Sequence, residues 1–438
     1  MIISALYLCV TIALFNYYIK ERYRTFAIVY AFMISSGFSL LPESNVKIYD
    51  FLLLLFVLVS LYENGRSNRF FTVKNDKVAM FTLILISYYF VIFVGTIVFT
   101  SESLGNSFKV FRTDLWMLQY FIIRRIPYSE IQKSYRFIFM MTTITGVLYF
   151  LQFWGITGIL RFSSENVSSI DGLSRYNNAP IFAIPILLYI LFLNPQLKNK
   201  AFWISFFAAL LILPMVRGAI IAFIGTSIIY VVITRKLKSY FTVFLYALCA
   251  FLLFYPVIES RFSNSSGIST HEDIENALQI KRGQYDIRQG GSFYYRIALL
   301  LERVEYIQSE NKMLTGVGTI HEDSPSNNFR LYVGKSIYEN RSSLIDTNDI
   351  AFATRIFRYG FIYLVLYCLY IIAAFRSLIR HKNEAAGTMG FLTLSIITFQ
   401  CLGSDGFSMF DRMLIPIIFI ACCNNQYYGR NSHTQLQQ

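Results

Sequence analysis

Residues 81–99 read FTLILISYYFVIFVGTIVF, an uncharged run long enough to cross a hydrocarbon layer as one helix. Such a crossing takes about 20 apolar residues, and a helix satisfies its own backbone hydrogen bonds in lipid. Similar runs recur, among them FLLLLFVLVSLY at 51–62 and FTVFLYALCAFLLFYPVI at 241–258. The hydrophobic fraction is 55%, against about 45–50% in soluble domains, and only 15% of residues are charged. The sequence therefore predicts an all-α integral membrane protein, a polytopic helical bundle.

The apolar runs predict a bundle of about 12–13 transmembrane helices. We place them at 2–18, 25–42, 47–63, 78–99, 107–123, 137–156, 178–194, 201–215, 218–233, 240–258, 349–374, 386–402 and 407–423. Every second connection is basic, as at Lys20/Arg22/Arg24, Arg66/Arg69/Lys74/Lys77, Arg124/Arg125/Lys133/Arg136, Lys198/Lys200, Arg235/Lys236/Lys238 and Arg376/Arg380/Lys382. This alternation predicts that the basic connections are cytoplasmic. The N-terminus is then expected outside and the C-terminus inside.

The charge pattern also defines the expected organisation of the chain. Residues 1–258 are expected to form transmembrane helices 1–10, 259–348 one large polar loop on the outer face, 349–423 helices 11–13, and 424–438 a cytoplasmic tail. The net charge of +13 follows mainly from the basic connections, so we do not expect a nucleic-acid partner.

The sequence offers little support for a metal or nucleotide site. It contains only four histidines, its six cysteines lie in apolar runs without metal spacing, and it has no P-loop or Gly-x-Gly-x-x-Gly element. We expect no cofactor. An external active site would then draw on arginine, lysine, carboxylates and the two loop histidines, His271 and His321.

Arg217 is a lone cation in the apolar sequence LPMVRGAIIAFIG. An arginine at membrane depth is costly unless it meets water, a cavity or an anion. Either its side chain extends to the outer head groups, or it binds an anion at the start of the following helix. Arginine suits the second role because its guanidinium can form bidentate hydrogen bonds to phosphate.

The loop segment SFYYRIALLLERVEYIQ, residues 292–308, has apolar residues at 3–4 spacing and predicts an amphipathic helix. Arg296 lies at the edge of the apolar face, and Arg303 follows two turns later. The helix is either an interfacial one whose arginines face lipid head groups, or it covers a membrane cavity and directs Arg296 inward.

After this helix come MLTGVGTIHED and then LIDTNDIAFATRIFRYGFIYLVLYCLY. Asp346, Asn348 and Asp349 are expected to cap the next spanning helix. Asp349 is expected beside Arg355 and Arg358, where cations keep a carboxylate ionised and able to act as a general base on a sugar hydroxyl.

The order of these features resembles the O-antigen ligase and polymerase superfamily, integral-membrane glycosyltransferases that act on polyprenyl-diphosphate-linked glycans. The matching elements are Arg217-Gly218-Ala219, the large loop, Arg296, and Leu-x-Gly-x-Gly at Leu314, Gly316 and Gly318. The last is a span that opens with Tyr359-Gly360-Phe361-Ile362, so motifs cover about residues 200–375. Ligases of this superfamily carry a His-Asn pair about eleven residues before the last glycine, where this chain has Asp349-Ile350. This departure favours a polymerase and leaves Asp349, Asp346 and His321 as candidates for the base.

The resemblance implies inverting, metal-independent polymerisation of lipid-linked repeat units on the outer (periplasmic) face of a bacterial inner membrane. Catalytic roles fall to Arg217, Arg296 and Asp349, and substrate contacts to Arg217, Arg296, Arg303, Arg355, Arg358 and His321. The implied partners are a polyprenyl-diphosphate-linked donor and acceptor, the lipid bilayer and a chain-length regulator protein. The alternatives are a ligase that transfers glycan to lipid A core or another acceptor, and a transporter of lipid-linked oligosaccharides.

Overall fold

A computed structural model describes residues 2–41, 46–67, 70–153, 167–170, 173–176, 180, 182–193, 197–214, 217–234, 270–281, 283, 285, 291–329, 331–333, 345–347, 349–401, 404–407 and 410–424. Over these residues the chain is almost entirely helical. The helices of the first part are α1 (Ile2–Ile19), α2 (Tyr23–Ile34), α3 (Ile48–Ser67), α4 (Lys77–Phe99), α5 (Leu104–Phe111), α6 (Gln119–Ile123), α7 (Tyr128–Lys133), α8 (Tyr135–Phe153), α9 (Ala183–Phe192), α10 (Lys200–Ile212) and α11 (Arg217–Thr234). The later helices are α12 (Thr270–Leu278), α13 (Ser292–Ser309), α14 (Ala353–Arg380), α15 (Ala385–Gln400) and α16 (Phe410–Cys423).

Five helices are long and apolar enough to cross a membrane: Ile2–Ile19, Ile48–Arg66, Lys77–Phe99, Tyr128–Gln152 and Ala353–Arg380. They coincide with five predicted spans. Six further predicted spans are present as shorter apolar helices of 10–17 residues: Tyr23–Ile34, Ala183–Phe192, Lys200–Ile212, Gly218–Thr234, Ala385–Gln400 and Arg412–Cys423. The predicted span at 240–258 lies outside the described residues. The structure thus supports a helical bundle with membrane-spanning helices.

The predicted span at 107–123 is present as a continuous helical stretch, but it is not one of the helices long and apolar enough to cross a membrane. The chain there forms α5, a 3-10 segment from Arg112 to Leu118, and α6. The interruption coincides with two charges: Arg112 pairs with Asp50 at 2.8 Å, and Asp114 pairs with Arg355 of α14. Short 3-10 stretches inside longer helices often mark a functional or strained position.

The described residues are almost all helical, as expected for an all-α protein; the exception is one short pair of strands within residues 167–176. Strands β1 (Val167–Ile170) and β2 (Leu173–Tyr176) pair antiparallel, with Val167 opposite Tyr176 and Ile170 opposite Leu173. The two residues between the strands are Asp171 and Gly172. This dipeptide is favoured in the tight turns of β-hairpins.

Polar contacts gather the basic connections at one end of the bundle, which we call the basic end. Tyr18 at the end of α1 donates to Glu63 at 3.0 Å, and Glu63 also pairs with Arg125. Asp76, which caps α4, accepts from Tyr120 at 2.7 Å and pairs with Arg124 at 3.3 Å. The residue after α16, Asn424, donates to Tyr120 at 2.9 Å and accepts from Ser377 of α14 at 2.6 Å.

The opposite end, which we call the loop end, carries the described part of the large loop. The amide of Thr319 donates to Thr96 near the end of α4 at 2.9 Å, and the Thr319 hydroxyl bonds to Ser107 of α5. The amide of Ala351 donates to the Cys401 carbonyl just after α15 at 3.3 Å. The loop is therefore attached to α4, α5 and α15 as well as to its own neighbours in sequence.

Candidate functional site

At the loop end, α14 contains a break in its helical hydrogen bonds, and the large loop pairs with this break. Gly360 has φ 69° and ψ −169° inside the helix, so the carbonyls of Phe357 and Arg358 lose their usual donors four residues later. The loop supplies replacements: the Val317 amide donates to Phe357 at 2.9 Å, and the Gly318 amide donates to Arg358 at 2.9 Å.

The amides released by the same break are satisfied by the same loop segment. Phe361 donates to the Met313 carbonyl at 2.9 Å, and Ile362 donates to the Leu314 carbonyl at 3.3 Å. Residues 313–318 therefore replace one missing turn of helical hydrogen bonds. Buried backbone groups need such partners, and in an apolar layer they need them most.

Two glycines make this pairing possible. Gly316 has φ 69°, and a Cβ there would collide with the backbone of Arg358 and Tyr359. A Cβ at Gly360 would collide with the backbone of Leu314 and Thr315. The two motifs that were separate in the sequence, Leu-x-Gly-x-Gly and Tyr359-Gly360, are thus one structural unit.

The first two turns of α14 carry two buried arginines, and each has an acidic partner. Arg355 pairs with Asp114, whose other carboxylate oxygen accepts from the Tyr359 hydroxyl at 2.5 Å. Arg358 donates from Nε and Nη2 to one oxygen of Asp346, at 3.0 and 2.8 Å. Both guanidinium groups are therefore engaged in holding α14 to its surroundings.

This pairing corrects the expected neighbourhood of Asp349. Asp346, not Asp349, holds Arg358, and Asp114 holds Arg355. The expected capping also differs, because α14 begins at Ala353 after Phe352, which has φ 68°; neither Asp346 nor Asp349 caps it, and Asn348 lies outside the described residues. Asp349 is exposed, and its carboxylate accepts from the Thr347 hydroxyl at 3.3 Å. Among the described residues it has no cationic partner.

His321 is the third candidate base, and its geometry is less suitable. Its Nδ1 accepts a hydrogen bond from the Asp323 amide at 3.2 Å, which leaves the ring proton on Nε2 in the neutral state. Burial lowers the pKa of His321 from 6.5, and the positive charges of Lys109 and Arg358 lower it further. The nitrogen that could take a proton is thus already occupied by the loop.

Helix α13 confirms the predicted helix at 292–308, but its buried face differs from the expected apolar stripe. Besides apolar residues, that face buries Glu302 and Arg303. Burial raises the pKa of Glu302, whose carboxylate accepts from the amides of Tyr332 and Val333. Arg303 is completely buried and donates to the Leu299 carbonyl of its own helix at 3.1 Å and to the Ile345 carbonyl of the loop at 3.5 Å. These charged side chains therefore fasten the loop onto the helix.

Arg296 lies on the same face of α13 as Arg303, because seven residues are close to two helical turns. It is half-buried, and within the described part of the chain it makes no ion pair or hydrogen bond. Its neighbours Ala298 and Leu299 pack in one cluster with Ile350 and Ala353, at the start of α14. Arg296 is thus a partly buried cation on a helix that packs against the segment around Asp349.

Arg217 is the first residue of α11, as expected for a separate helix after Pro214. The far part of α11 packs on the end of α9, where the rings of Tyr230 and Phe192 are 4.4 Å apart. Nearer its start, Gly225 faces Phe399 close to the end of α15. The start of α11 therefore lies at the loop end; the side chain of Arg217 is outside the described part.

Several residues at this end were not predicted. Asp50, Arg112 and Asp114 form ion pairs there, and Asp346 proved to be the partner of Arg358. A signal was present for Asp114, because an acid inside an apolar run is rarely placed without a partner or a function. No pattern in the sequence indicated that its partner would be Arg355, 241 positions later.

Comparison with models of known protein families gives no match, and comparison with curated proteins gives none either. Among the described residues, no group of three or more His, Cys, Asp or Glu side chains is placed to hold a metal ion.

Proposed function

We propose that this protein is a membrane glycosyltransferase that polymerises polyprenyl-diphosphate-linked repeat units on the outer face of a bacterial inner membrane. The observation that carries the proposal is Arg296, a half-buried guanidinium with no partner in the described part of the chain. A partly buried cation is costly unless an anion joins it, and a diphosphate is an anion that arginine binds well.

The surroundings of Arg296 favour this assignment over a lipid-facing anchor. The helix that carries it is fixed to the loop through Glu302, which binds the Val333 amide, and through Arg303, which binds the Ile345 carbonyl; the loop is bonded to the break in α14. This anchored helix holds its arginine in a fixed position, and electrostatic stabilisation of a transition state requires a charged group that is fixed in advance. The start of α11, with Arg217, lies at the same end.

The proposed reaction is one displacement. A hydroxyl oxygen of the acceptor glycan attacks the anomeric carbon of the donor, and the bond from that carbon to the diphosphate oxygen breaks. The leaving polyprenyl diphosphate keeps the electron pair, and Arg217 and Arg296 stabilise the charge that develops on it. Asp349 orients the acceptor hydroxyl and takes its proton. The result is transfer with inversion.

Asp349 is favoured over Asp346 as the base because Asp346 is bound by Arg358 through two guanidinium nitrogens. One of its two carboxylate oxygens is thus already engaged in holding Arg358 in place. Asp349 has no cationic partner among the described residues and is exposed. Arg303, Arg355 and Arg358 are then assigned to holding the site together, not to direct contact with substrate.

The test is to delete the gene in its host and to size the lipid-linked glycans that accumulate. Loss of a polymerase leaves single repeat units on lipid at the outer face. Loss of a ligase leaves long chains on lipid, and loss of a transporter leaves single units on the cytoplasmic face. Either of the last two results would overturn the proposal.

The arginines are tested by complementing the deletion with variants. We expect Arg217→Ala and Arg296→Ala to abolish long chains while the protein still accumulates, and lysine to restore only part, because an ammonium cannot form two parallel bonds. Arg24→Ala, at an exposed arginine of the basic end, is the matched control and should be fully active. Full activity of Arg296→Ala would contradict the role of that residue.

Purified wild-type protein should keep its activity in EDTA, because the proposed reaction uses no metal ion.

A further inference from the structure

An apolar cavity of about 350 Å³ lies in the half of the bundle that holds α2, α8 and α9. Its walls come from these helices, from α15 and α16 and from the connections near Ile126 and Leu197. It is separate from the elements of the candidate site: none of its 21 lining residues belongs to the large loop or to α14. The proposed reaction does not use it.

The lining of this cavity presents hydrocarbon almost exclusively. Four hydroxyls belong to the lining, those of Tyr30, Ser134, Tyr135 and Tyr189. Two of them are satisfied by the protein, since Tyr30 donates to Gln119 at 3.2 Å and Ser134 donates to the Ile131 carbonyl at 2.6 Å. Water needs two to four polar partners to stay in a cavity, and these walls offer few. A vacant space of this size would also leave the lining side chains without dispersion contacts.

One charged residue, Arg136, belongs to the lining, and it is exposed. Its neighbour Lys133 is paired with Glu130 at 2.6 Å, whereas Arg136 makes no ion pair with any residue that the structure describes. Arg136 begins α8 at the basic end of the bundle. The cavity therefore combines an apolar interior with an unneutralised cation at its edge.

We propose that this cavity binds one acyl chain of an anionic phospholipid, with the phosphate of the head group on Arg136. The chain fills space that water cannot, and the head group neutralises the guanidinium. Arginine near a bilayer surface attracts anionic lipids, and a charge-assisted bond to phosphate adds to this attraction. The proposal is independent of the glycosyltransferase assignment, because its readout is bound lipid.

The test uses the full-length protein purified in a mild detergent. Native mass spectrometry should show about one anionic phospholipid bound per chain. Arg136→Gln should weaken binding roughly tenfold, the size expected for one charge-assisted bond. Ala27→Phe, which places a ring in the cavity, should remove the lipid. Arg24→Gln and Ala201→Phe are the matched controls, exposed positions outside the lining, and should bind lipid as the wild type does.

A second measurement covers the case in which Ala27→Phe does not fold. A phosphatidylglycerol with a photoreactive group in its acyl chain is added to the wild-type protein, and the labelled peptides are identified. Labels on lining residues such as Tyr30, Ile186 and Phe419 would support the site. Labels confined to outward residues such as Ile221 and Val232 would overturn it, as would unchanged lipid binding in both Arg136→Gln and a folded Ala27→Phe.

Discussion

Asp346 and Asp349 are three residues apart, yet the structure gives them different surroundings. Asp346 binds Arg358, whose side chain is only 2% exposed, whereas Asp349 is exposed and bonded to Thr347. We predict that Asp349→Asn lowers polymer formation on the order of 10²-fold, the size expected for loss of a general base, without a change in melting temperature.

We predict that Asp346→Asn lowers the free energy of unfolding by about 1 kcal/mol. The loss is small because Asp346 is more than half exposed and asparagine keeps one acceptor for Arg358.

Polymer length on gels and thermal unfolding in detergent distinguish the two variants. Loss of activity in Asp346→Asn alone, without loss of stability, would move the base to Asp346. Full activity of Asp349→Asn would leave the acceptor hydroxyl without an assigned base and would make His321→Ala the next variant to measure.

The folded loop favours the neutral form of the His321 imidazole. The unfolded chain binds a proton near pH 6.5, and the folded loop does so only at lower pH, because burial and the nearby charges of Lys109 and Arg358 oppose protonation while Asp323 and Asp346 favour it. The contribution of His321 to the free energy of unfolding is therefore complete above about pH 6.5, and it falls as the pH drops below that value. Hydrogen exchange of residues 318–328, corrected for intrinsic rates, should show loss of protection from pH 7.5 to pH values of about 5.5.

The matched variant is His321→Asn, whose amide oxygen can accept from the Asp323 amide as Nδ1 does. It should keep the protection of residues 318–328 and lose its dependence on pH. An identical acid response in wild type and variant would place the titrating group elsewhere.

At the scale of elements, the pairing of residues 313–318 with the break in α14 depends on glycine at fixed positions. Tyr88, about halfway along α4, donates to the Tyr359 carbonyl at 2.6 Å, so this pairing lies beside the middle of a helix long enough to span a membrane. We predict that Gly360→Ala destabilises the protein by more than about 1 kcal/mol, because φ is positive and a Cβ would collide with the backbone of Leu314.

The control is Gly95→Ala in α4, where a Cβ would meet no atom within 4 Å. Alanine in a helix is favoured over glycine by about 0.5–1 kcal/mol, so this variant should be neutral or more stable. Thermal unfolding of both proteins in the same detergent gives the comparison. A Gly360→Ala protein as stable as Gly95→Ala would mean that residues 313–318 do not pair closely with α14.

The parts of this fold that the sequence predicted are the local ones. Periodicity and apolar length gave α13, α4 and the other long helices, because a helix is decided by neighbours within a few residues. The family resemblance also singled out Gly316 and Gly360, although it did not show that they meet. The partners of Arg355 and Arg358 were missed, because ion pairs between distant segments depend on packing and leave no periodic mark.

At the scale of the whole molecule, the contacts place the basic connections at one end and the loop at the other. We predict that, in a variant without native cysteines, Asn328→Cys reacts with a membrane-impermeant thiol reagent when only the outer envelope is opened, and Asn383→Cys does not. The two positions are matched: each replaces an exposed asparagine, one in the loop and one between α14 and α15 at the basic end. Positive charge resists translocation, so Arg380 and Lys382 should hold residue 383 inside. Labelling of Asn383→Cys alone would invert the topology and would move the candidate site to the cytoplasm, where a polymerase of outward-facing lipid-linked glycans could not act.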